Sequence, residues 1–597
     1  MSHINSIEKL DFDVLNLMSS DCFESQRQAS SVLNRSLGSI NQSVDVLRSL
    51  GYIEDDYALS SAGKAAFDQF KVKNAIIMAA GMSSRFAPLS FENPKGLLKV
   101  KGEVLIERQI RQLQDAGIDD ITIVLGYMKE KFLYLERKYN VKIVINDDYY
   151  RYNNTSTLML VKDRISNTYI CSSDNYFSEN VFASHMYKAT YPVVYQDESD
   201  SNEYYADFSK KGIISRVEVG SGHYCMLGQV YFDAEFSKTF LSILSKAYDD
   251  EATKHALWEK VYLDHQDELT LYAQEYPSTV IMEFDSLHEL QRYDDYYLEN
   301  VDSAIFKNIM RVLKCSVRDI QSIETIKAGM TNLSFKFTVF GKPYIYRHPG
   351  VGTETYINRE SEAYAQEMAK ELKLDDSFIA MNKEEGWKIS HYIEDSAVLD
   401  YHNPDQVKQA LTKIKILHDA QIAGKFEFNL WKKTMAFIEA IASKGRNDFA
   451  DFDALHSLME RVYRLSESDG VPKVLCHCDF YDPNILISKG EMFLIDWEYA
   501  GVDDPASDIG TFIACSDYSE AEALEILTIY YGHQPTEEQT RHSLAYIALA
   551  AYYWFVWAIF QESNGSTVGE YLYIWYRCSY QYGEKALALY GGSHENH

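Results

Sequence analysis

The run His477-Cys478-Asp479-Phe480-Tyr481-Asp482-Pro483-Asn484-Ile485-Leu486, followed by Ile495-Asp496-Trp497-Glu498, constrains this chain more than any other part of it. An Asp is followed five residues later by an Asn, and then by a strand that ends in a second Asp. This set of groups suits phosphoryl transfer. Asp479 would orient an acceptor hydroxyl and take its proton, while Asn484 and Asp496 would hold magnesium on the phosphates of ATP. Strand-like runs precede it over Ile323–Lys327, Ser334–Val339 and Tyr344–Arg347, then a helix around Glu354–Leu372 and a mainly helical remainder. Residues 299–597 therefore read as a small sheet lobe followed by a large helical lobe.

These residues resemble the aminoglycoside and choline kinase group, with H-x-D-x-x-x-x-N in place of the protein-kinase form. Asp496-Trp497-Glu498-Tyr499-Ala500-Gly501 is similar to the choline kinase counterpart of D-F-G. The resemblance implies a bilobal protein-kinase-like domain. It implies that Ala328-Gly329-Met330-Thr331-Asn332 covers the ATP phosphates through Gly329, Thr331 and Asn332. It also implies that Arg347 stands where other kinases carry a phosphate-binding Lys, paired with Glu362 or, one register away, Glu360. Asp508 would brace the catalytic loop and His477 would pack beneath it. Glu498 falls at the substrate side of the motif. The run Ala551-Tyr552-Tyr553-Trp554-Phe555-Val556-Trp557-Ala558 is similar to a choline kinase helix. It sets Trp554 and Trp557 on one helix face, where two indoles could cradle a trimethylammonium group. Tyr576 is a further candidate, and core packing is the alternative for the pair.

Residues 73–298 alternate strand and helix: strands Asn74–Ala79, Asp120–Leu125, Lys142–Ile145 and Thr168–Cys171, and helices Leu105–Asp115 and Lys129–Tyr139. This predicts a mostly parallel, doubly wound Rossmann-like sheet. The first strand runs into Ala79-Ala80-Gly81-Met82-Ser83-Ser84-Arg85-Phe86, with Pro94-Lys95 close behind. Small residues at the carboxyl end of a first strand let backbone N–H groups approach a triphosphate. Arg85 and Lys95 would neutralise departing pyrophosphate. Asp174, at a strand end, and Asp285, before the helix Leu287–Tyr293, are placed to hold magnesium, with Glu283 a further candidate. The ordered motif resembles the nucleotidyltransferases that make sugar-nucleotides and CDP-alcohols. Within them it is similar to bacterial phosphocholine cytidylyltransferases at Asn93-Pro94-Lys95, Gly126-Tyr127, Asn146-Asp147, Tyr152-Asn153-Asn154, Ser173-Asp174-Asn175-Tyr176 and Glu283-Phe284-Asp285-Ser286. Tyr204 and Trp258 fall where that family places aromatic groups around a quaternary ammonium; each reads equally as a core aromatic.

Residues 1–72 predict a helical module: a helix over Ser25–Arg35, a second carrying Ile40, Val44, Leu47 and Leu50, and a short strand at Tyr57–Ser60. The order resembles a winged helix-turn-helix. DNA contact is disfavoured, since residues 1–70 hold ten acids against five bases and the whole chain carries a net charge of −30. A protein-contact role stands beside it. Eight scattered cysteines give no zinc pattern and no disulfide framework. The N-terminus lacks a signal-peptide pattern, and the apolar run Leu544–Phe560 is rich in Tyr and Trp, so the expected setting is the cytoplasm without a membrane partner.

Together these motifs predict a bifunctional enzyme. One part would phosphorylate choline with ATP; the other would couple phosphocholine to CTP, giving CDP-choline and pyrophosphate. The resemblance extends to phosphocholine decoration of surface glycans or lipids. Alternatives are the same reactions on ethanolamine or another small amine, a metabolite-sensing DNA-binding regulator, and a sugar-1-phosphate nucleotidyltransferase, which leaves the fused kinase unexplained.

Overall fold

The computed structural model describes residues 7–20, 22–82, 86–197, 203–284, 286–326, 332–350, 353, 357–443, 449–563 and 568–592. The chain forms two compact units, Met1–Met310 and Arg311–His597.

The first unit opens with helices Lys9–Ser19, Gln26–Val32, Leu37–Ser49 and Ser61–Phe67. Ser25, Ser36 and Ser60 cap three of them, each hydroxyl accepting an N–H two or three residues inside the helix. The sequence reading does not include Lys9–Ser19, yet its Phe12, Val14, Leu15 and Met18 supply much of the module's core. The expected strand at Tyr57–Ser60 is reduced to one antiparallel bridge, Ile53 to Leu59. The module sits on the sheet that follows. Phe67 stacks on His185 at 4.0 Å, Phe12 meets Tyr187 at 5.6 Å, and the Val72 N–H donates to Ser184 O at 2.9 Å.

That sheet has ten strands. Lys142–Ile145, Ile121–Leu125, Asn74–Ala79 and Thr168–Ser172 lie side by side and parallel. Asn74–Ala79 is central and covered on both faces, which is why it reads as a nearly unbroken apolar run. Beyond Thr168–Ser172 the pairing turns antiparallel through Val230–Phe232, Thr190–Tyr195, Tyr224–Met226, Tyr204–Phe208 and Ile214–Val219. Only Tyr272–Tyr276 rejoins in parallel, against Thr190–Tyr195. The expectation of a mostly parallel sheet thus holds for one half. In the other half Tyr204–Phe208 and Ile214–Val219 form a hairpin, while the remaining antiparallel pairs join strands distant in sequence. The expected helix Lys129–Tyr139 is broken into a 3₁₀ turn, Lys129–Lys131, and a helix, Tyr134–Tyr139.

The second unit begins with a five-stranded antiparallel sheet ordered Ile320–Ile326, Asn332–Val339, Lys342–Pro349, Lys388–His391, Phe378–Met381. The helix expected from Glu354 starts at Arg359, where the Asn358 side chain accepts from the N–H groups of Glu360 and Ser361. A large helical body follows. The loop carrying Asp479 lies between two small sheets, Val474–Cys476 with Gly501–Asp503, and Ile485–Ser488 with Glu491–Leu494. Helix Glu537–Ser563 is long and apolar enough to cross a membrane, and 94% of its most apolar window is buried inside this unit. It packs along Tyr571–Gly592 and crosses Ala506–Ser516 at Gly510, where a Cβ atom would collide with the carbonyl of Tyr546.

Gly510→Ala is therefore expected to destabilise the second unit by about 1–3 kcal/mol through overpacking against a backbone that cannot yield. Gly38→Ala, on an open helix face, is expected to be neutral or to stabilise by up to about 1 kcal/mol. Urea denaturation followed by tryptophan fluorescence, with far-ultraviolet circular dichroism, checks both.

Candidate active sites

In the first unit, Ala80, Gly81 and Met82 leave the central strand and line a cavity of about 450 Å³ with Asn146, Tyr149, Arg151 and Asn154. Ser83, Ser84 and Arg85 lie outside the described residues. The Tyr127 N–H donates to Ala80 O at 3.2 Å, and Gly126 has room only for hydrogen beside the Tyr149 ring. The cavity thus opens where the parallel strands end, as the strand–turn motif predicts.

Lys95 is 7% exposed, and its Nζ lies 2.7 Å from Asp174 Oδ2. Gly96 makes this approach possible, because a Cβ there would press on Ser173 at 2.9 Å. Burial works to raise the Asp174 carboxyl, but the Lys95 ammonium and the Ser172 hydroxyl outweigh it and hold the group below its ordinary value. Strand Ile281–Glu283 pairs with Asn175–Phe177, which brings Glu283 to the Asn175 amide at 3.1 Å. Glu283 is thereby set opposite Asn175, the residue after Asp174; Asp285 lies outside the described residues. Ionised carboxylate oxygens with phosphate oxygens to complete the shell suit a hard divalent cation.

Trp258 is 1% exposed and sits among Tyr191, Phe232 and Phe240, so the structure places it in the core. Tyr204 is half-buried against the same cluster. The group that sequence reasoning misses is the next residue, Glu259. Its backbone neighbour, the Trp258 N–H, donates to Asn154 Oδ1 at 2.7 Å, and Asn154 lines the cavity. Burial pushes the Glu259 carboxyl up to about 7; hydrogen bonds from its own backbone, Asn154 and Tyr191 oppose this, and nearby Glu203 adds to it. Glu259 Oε2 is shut from solvent without a hydrogen-bond partner among the described residues. Glu259, with Glu203 near it, thus stands behind Asn154 of the cavity wall. A lone Glu in no motif gives no signal of this in sequence.

In the second unit, Asp479 is 6% exposed. Its Oδ2 accepts from the Asn484 amide at 2.8 Å, and its Oδ1 has no partner among the described residues. Burial, then the charges of Asp496 and Glu498, push its carboxyl well above the usual range. Because the Asn484 nitrogen is spent on Asp479, its oxygen is the end left for a cation shared with the part-exposed Asp496 carboxylate. Oxygen donors of this kind also fit a hard divalent ion.

The loop is held from below. Asp508 accepts the N–H groups of His477 at 2.8 Å and Cys478 at 2.7 Å, and His477 Nε2 bonds Ile495 O at 2.9 Å. Arg347 Nη2 donates to Glu362 at 2.8 Å, and Glu362 is fully buried. Burial would raise the Glu362 carboxyl, but Arg347, Lys388 and Arg359 bring it down to about 2. This selects Glu362 over Glu360, whose side chain is exposed and faces Lys383 at 3.8 Å. Arg359, absent from the sequence reading, links Glu362 at 2.9 Å to Asn332 Oδ1 at 3.1 Å. Gly329 and Thr331 lie outside the described residues. Glu498, expected at the substrate, is corrected to this ionic cluster: it accepts from Asn332 at 2.7 Å and lies 3.6 Å from Arg359.

The neighbour Tyr499 is what reaches Trp554, at 6.2 Å, edge-on. Trp554 and Trp557 meet edge-to-face at 5.5 Å, with Trp575 at 5.9 Å and Tyr481 at 6.4 Å from Trp554. Tyr481 is two residues from Asp479 and donates its N–H to that residue's carbonyl at 3.1 Å. A buried aromatic cluster thus stands beside the Asp479 loop, with Trp554 and Trp557 both packed into the core of the unit. Tyr576 is not part of it: its hydroxyl goes to Asp451 and its ring to Phe555. Trp575, one residue earlier, takes that place, since helix register decides which of two adjacent aromatics faces inward.

Residues 75–204 match the MobA-like NTP transferase domain model, and residues 323–551 match the choline/ethanolamine kinase model. A choline-phosphate cytidylyltransferase of Streptococcus pneumoniae is 35% identical over 225 residues, which are 37% of this chain and 96% of the relative. A 2-aminoethylphosphonate cytidylyltransferase of Lancefieldella rimae is 34% identical over 230 residues, 38% of this chain and 93% of the relative. The crystal structure of choline kinase LicA from Streptococcus pneumoniae aligns at 23% identity and a TM-score of 0.39, covering 48% of this chain and 98% of that one. With its paired Lys95 and Asp174 in the first unit and its Asp479 loop in the second, the chain belongs to the choline-phosphate cytidylyltransferase family, fused to a choline/ethanolamine kinase domain.

Proposed function

We propose that the second unit phosphorylates choline with ATP and that the first joins the resulting phosphocholine to CTP, releasing pyrophosphate. The observation that carries this reading is the cluster of Trp554, Trp557, Trp575 and Tyr481 beside Asp479, whose Oδ1 has no partner among the described residues. A trimethylammonium group donates no hydrogen bond and binds aromatic faces, at about 0.5–2 kcal/mol each. The choline hydroxyl then reaches Asp479, whose raised affinity for a proton suits it to accept one as the oxygen attacks the γ-phosphorus.

In the first unit a phosphate oxygen of phosphocholine attacks the α-phosphorus of CTP, and the bond to pyrophosphate breaks. Lys95 supplies positive charge where it builds, and Ala80 to Met82 present backbone to the triphosphate. Glu259 and Glu203 face the ammonium end. Magnesium ions held by Asp174 with the 283–285 run, and by Asn484 with Asp496, would neutralise phosphate oxygens in the two sites. The first seventy residues are read as a winged helix serving protein contact, consistent with their acidity. The setting is read as cytoplasmic, with the product serving phosphocholine decoration of surface glycans or lipids.

Phosphorus NMR of the purified chain with choline, ATP, CTP and magnesium tests the whole scheme. Phosphocholine should appear and convert to CDP-choline. Asp479→Asn is expected to slow phosphocholine formation about a hundred- to ten-thousand-fold while leaving conversion of added phosphocholine intact; Lys95→Met should do the reverse. Retention of both rates in either variant overturns the assignment.

Trp554→Ala should raise the KM for choline about 10- to 30-fold with little change for ATP, and should narrow the preference over ethanolamine. Steady-state rates with both alcohols measure this.

Glu259 is neutral below about pH 7 and charged above it. A cationic substrate binds the charged form, so the KM for phosphocholine should fall as pH rises from 6 to 8. Glu259→Gln should raise that KM and flatten the profile.

A further inference from the structure

The helix Ala304–Leu313 carries the chain from the first unit into the second. Two side chains close its start. Ser303 is buried, and its hydroxyl accepts the Phe306 N–H at 3.2 Å. The N–H groups of Ala304 and Ile305 both donate to Glu92 Oε1, at 2.7 and 3.2 Å. Glu92 lies 212 residues away in sequence, at the end of the short helix Leu89–Glu92. Its other oxygen, Oε2, is shut from solvent without a hydrogen-bond partner among the described residues. Leaving a carboxylate oxygen in that state costs free energy. Water would satisfy the two N–H groups without that cost, so the helix does not need Glu92 in order to begin. What the contact fixes is Glu92 itself.

Glu92 stands three residues before Lys95, and little between them can give. The Asn93 N–H donates to Leu89 O at 2.9 Å, and the Pro94 ring holds φ at −57°. Lys95 then opens a 3₁₀ turn, which the Leu98 N–H closes on Lys95 O at 3.1 Å. A second tether comes from the exposed Lys131, whose ammonium donates to Glu92 O and, at 3.1 Å, to Asn93 Oδ1. The Tyr127 hydroxyl holds Ser90 O at 3.2 Å. The run from Ser90 to Asn93 is thus pinned by three separate elements just before it delivers Lys95 to Asp174.

We propose that Glu92, with Lys131, is a positioning residue for nucleotidyl transfer: it fixes the lysine that meets the departing pyrophosphate, and it makes the start of the connecting helix part of the frame of that site. Each acts through Lys95, so the inference rests on the role given to Lys95 in the proposed function. Release of Glu92 lets the Lys95 ammonium drift from the place where charge builds, and a displacement of about 1 Å is worth up to about a hundredfold in rate.

Steady-state CDP-choline formation by the full chain, inhibited with added pyrophosphate, tests this. Glu92→Ala is expected to lower kcat and to raise the inhibition constant of pyrophosphate, each about tenfold, while the KM for phosphocholine stays within about twofold. Glu92→Gln, whose amide oxygen still accepts both N–H groups, should recover most of that loss. In a Lys95→Met background, Glu92→Ala should change neither quantity further. A loss of folded enzyme alone would lower kcat and leave the pyrophosphate constant in place. An unmoved pyrophosphate constant in Glu92→Ala, or its full effect repeated on top of Lys95→Met, overturns the inference. If Glu92→Ala fails to fold, Lys131→Met is judged by the same criteria. Failure of the underlying reading looks different: Lys95→Met would itself leave the pyrophosphate constant unchanged, and both would fall.

Discussion

Each unit is organised around a carboxylate taken out of water at the end of a strand, and what stands opposite it decides its chemistry. Asp174 faces an ammonium, Lys95, at 2.7 Å, and its carboxyl is held below the ordinary range. Asp479 faces only an amide, Asn484, at 2.8 Å, with two more carboxylates nearby, and its carboxyl is driven up. Desolvation is common to both; the sign of the nearest charge separates them. A permanently ionised group is suited to hold a cation. A group that binds a proton readily is suited to take one from a hydroxyl. The proposed division of labour between a metal ligand and a general base thus rests on the charges nearest each carboxylate: one ammonium at Asp174, two carboxylates at Asp479.

The parts legible in sequence are those where chemistry is compressed into a short run. The loop from His477 to Ile485 carries its carboxylate, its amide and its fold signal within nine residues. The strand-to-turn run ending at Gly81 does the same for the triphosphate. What escapes is set by register and long-range packing. Whether Glu362 or Glu360 meets Arg347 depends on where Asn358 caps the helix, and two residues of offset exchange buried for exposed. Trp575 and Tyr576 are told apart by the same rotation. Arg359 and Glu259 belong to no motif, and only the closing of the fold brings them to Asn332 and to Asn154. The antiparallel half of the first sheet was hidden because short strands do not record the direction of their partners.

The two units meet the same ligand group, a quaternary ammonium, with different physics. In the proposed kinase site, indole and phenol faces beside Asp479 would receive it through their quadrupoles, with no carboxylate among them. In the proposed transferase site the anchor would be a carboxyl near its own titration point, Glu259, one of whose oxygens has no hydrogen-bond partner among the described residues. The difference matches what each site must bind. Choline enters the kinase as a bare cation, while the phosphate it reacts with comes on ATP. Phosphocholine enters the transferase as a zwitterion, whose phosphate must approach a triphosphate of the same sign. A carboxylate that becomes charged as the ammonium arrives anchors the far end of the substrate against that repulsion. The aromatic cluster alone would hold the cation without opposing the phosphate's recoil, so the nucleotidyl transfer calls for the stronger, ionic anchor.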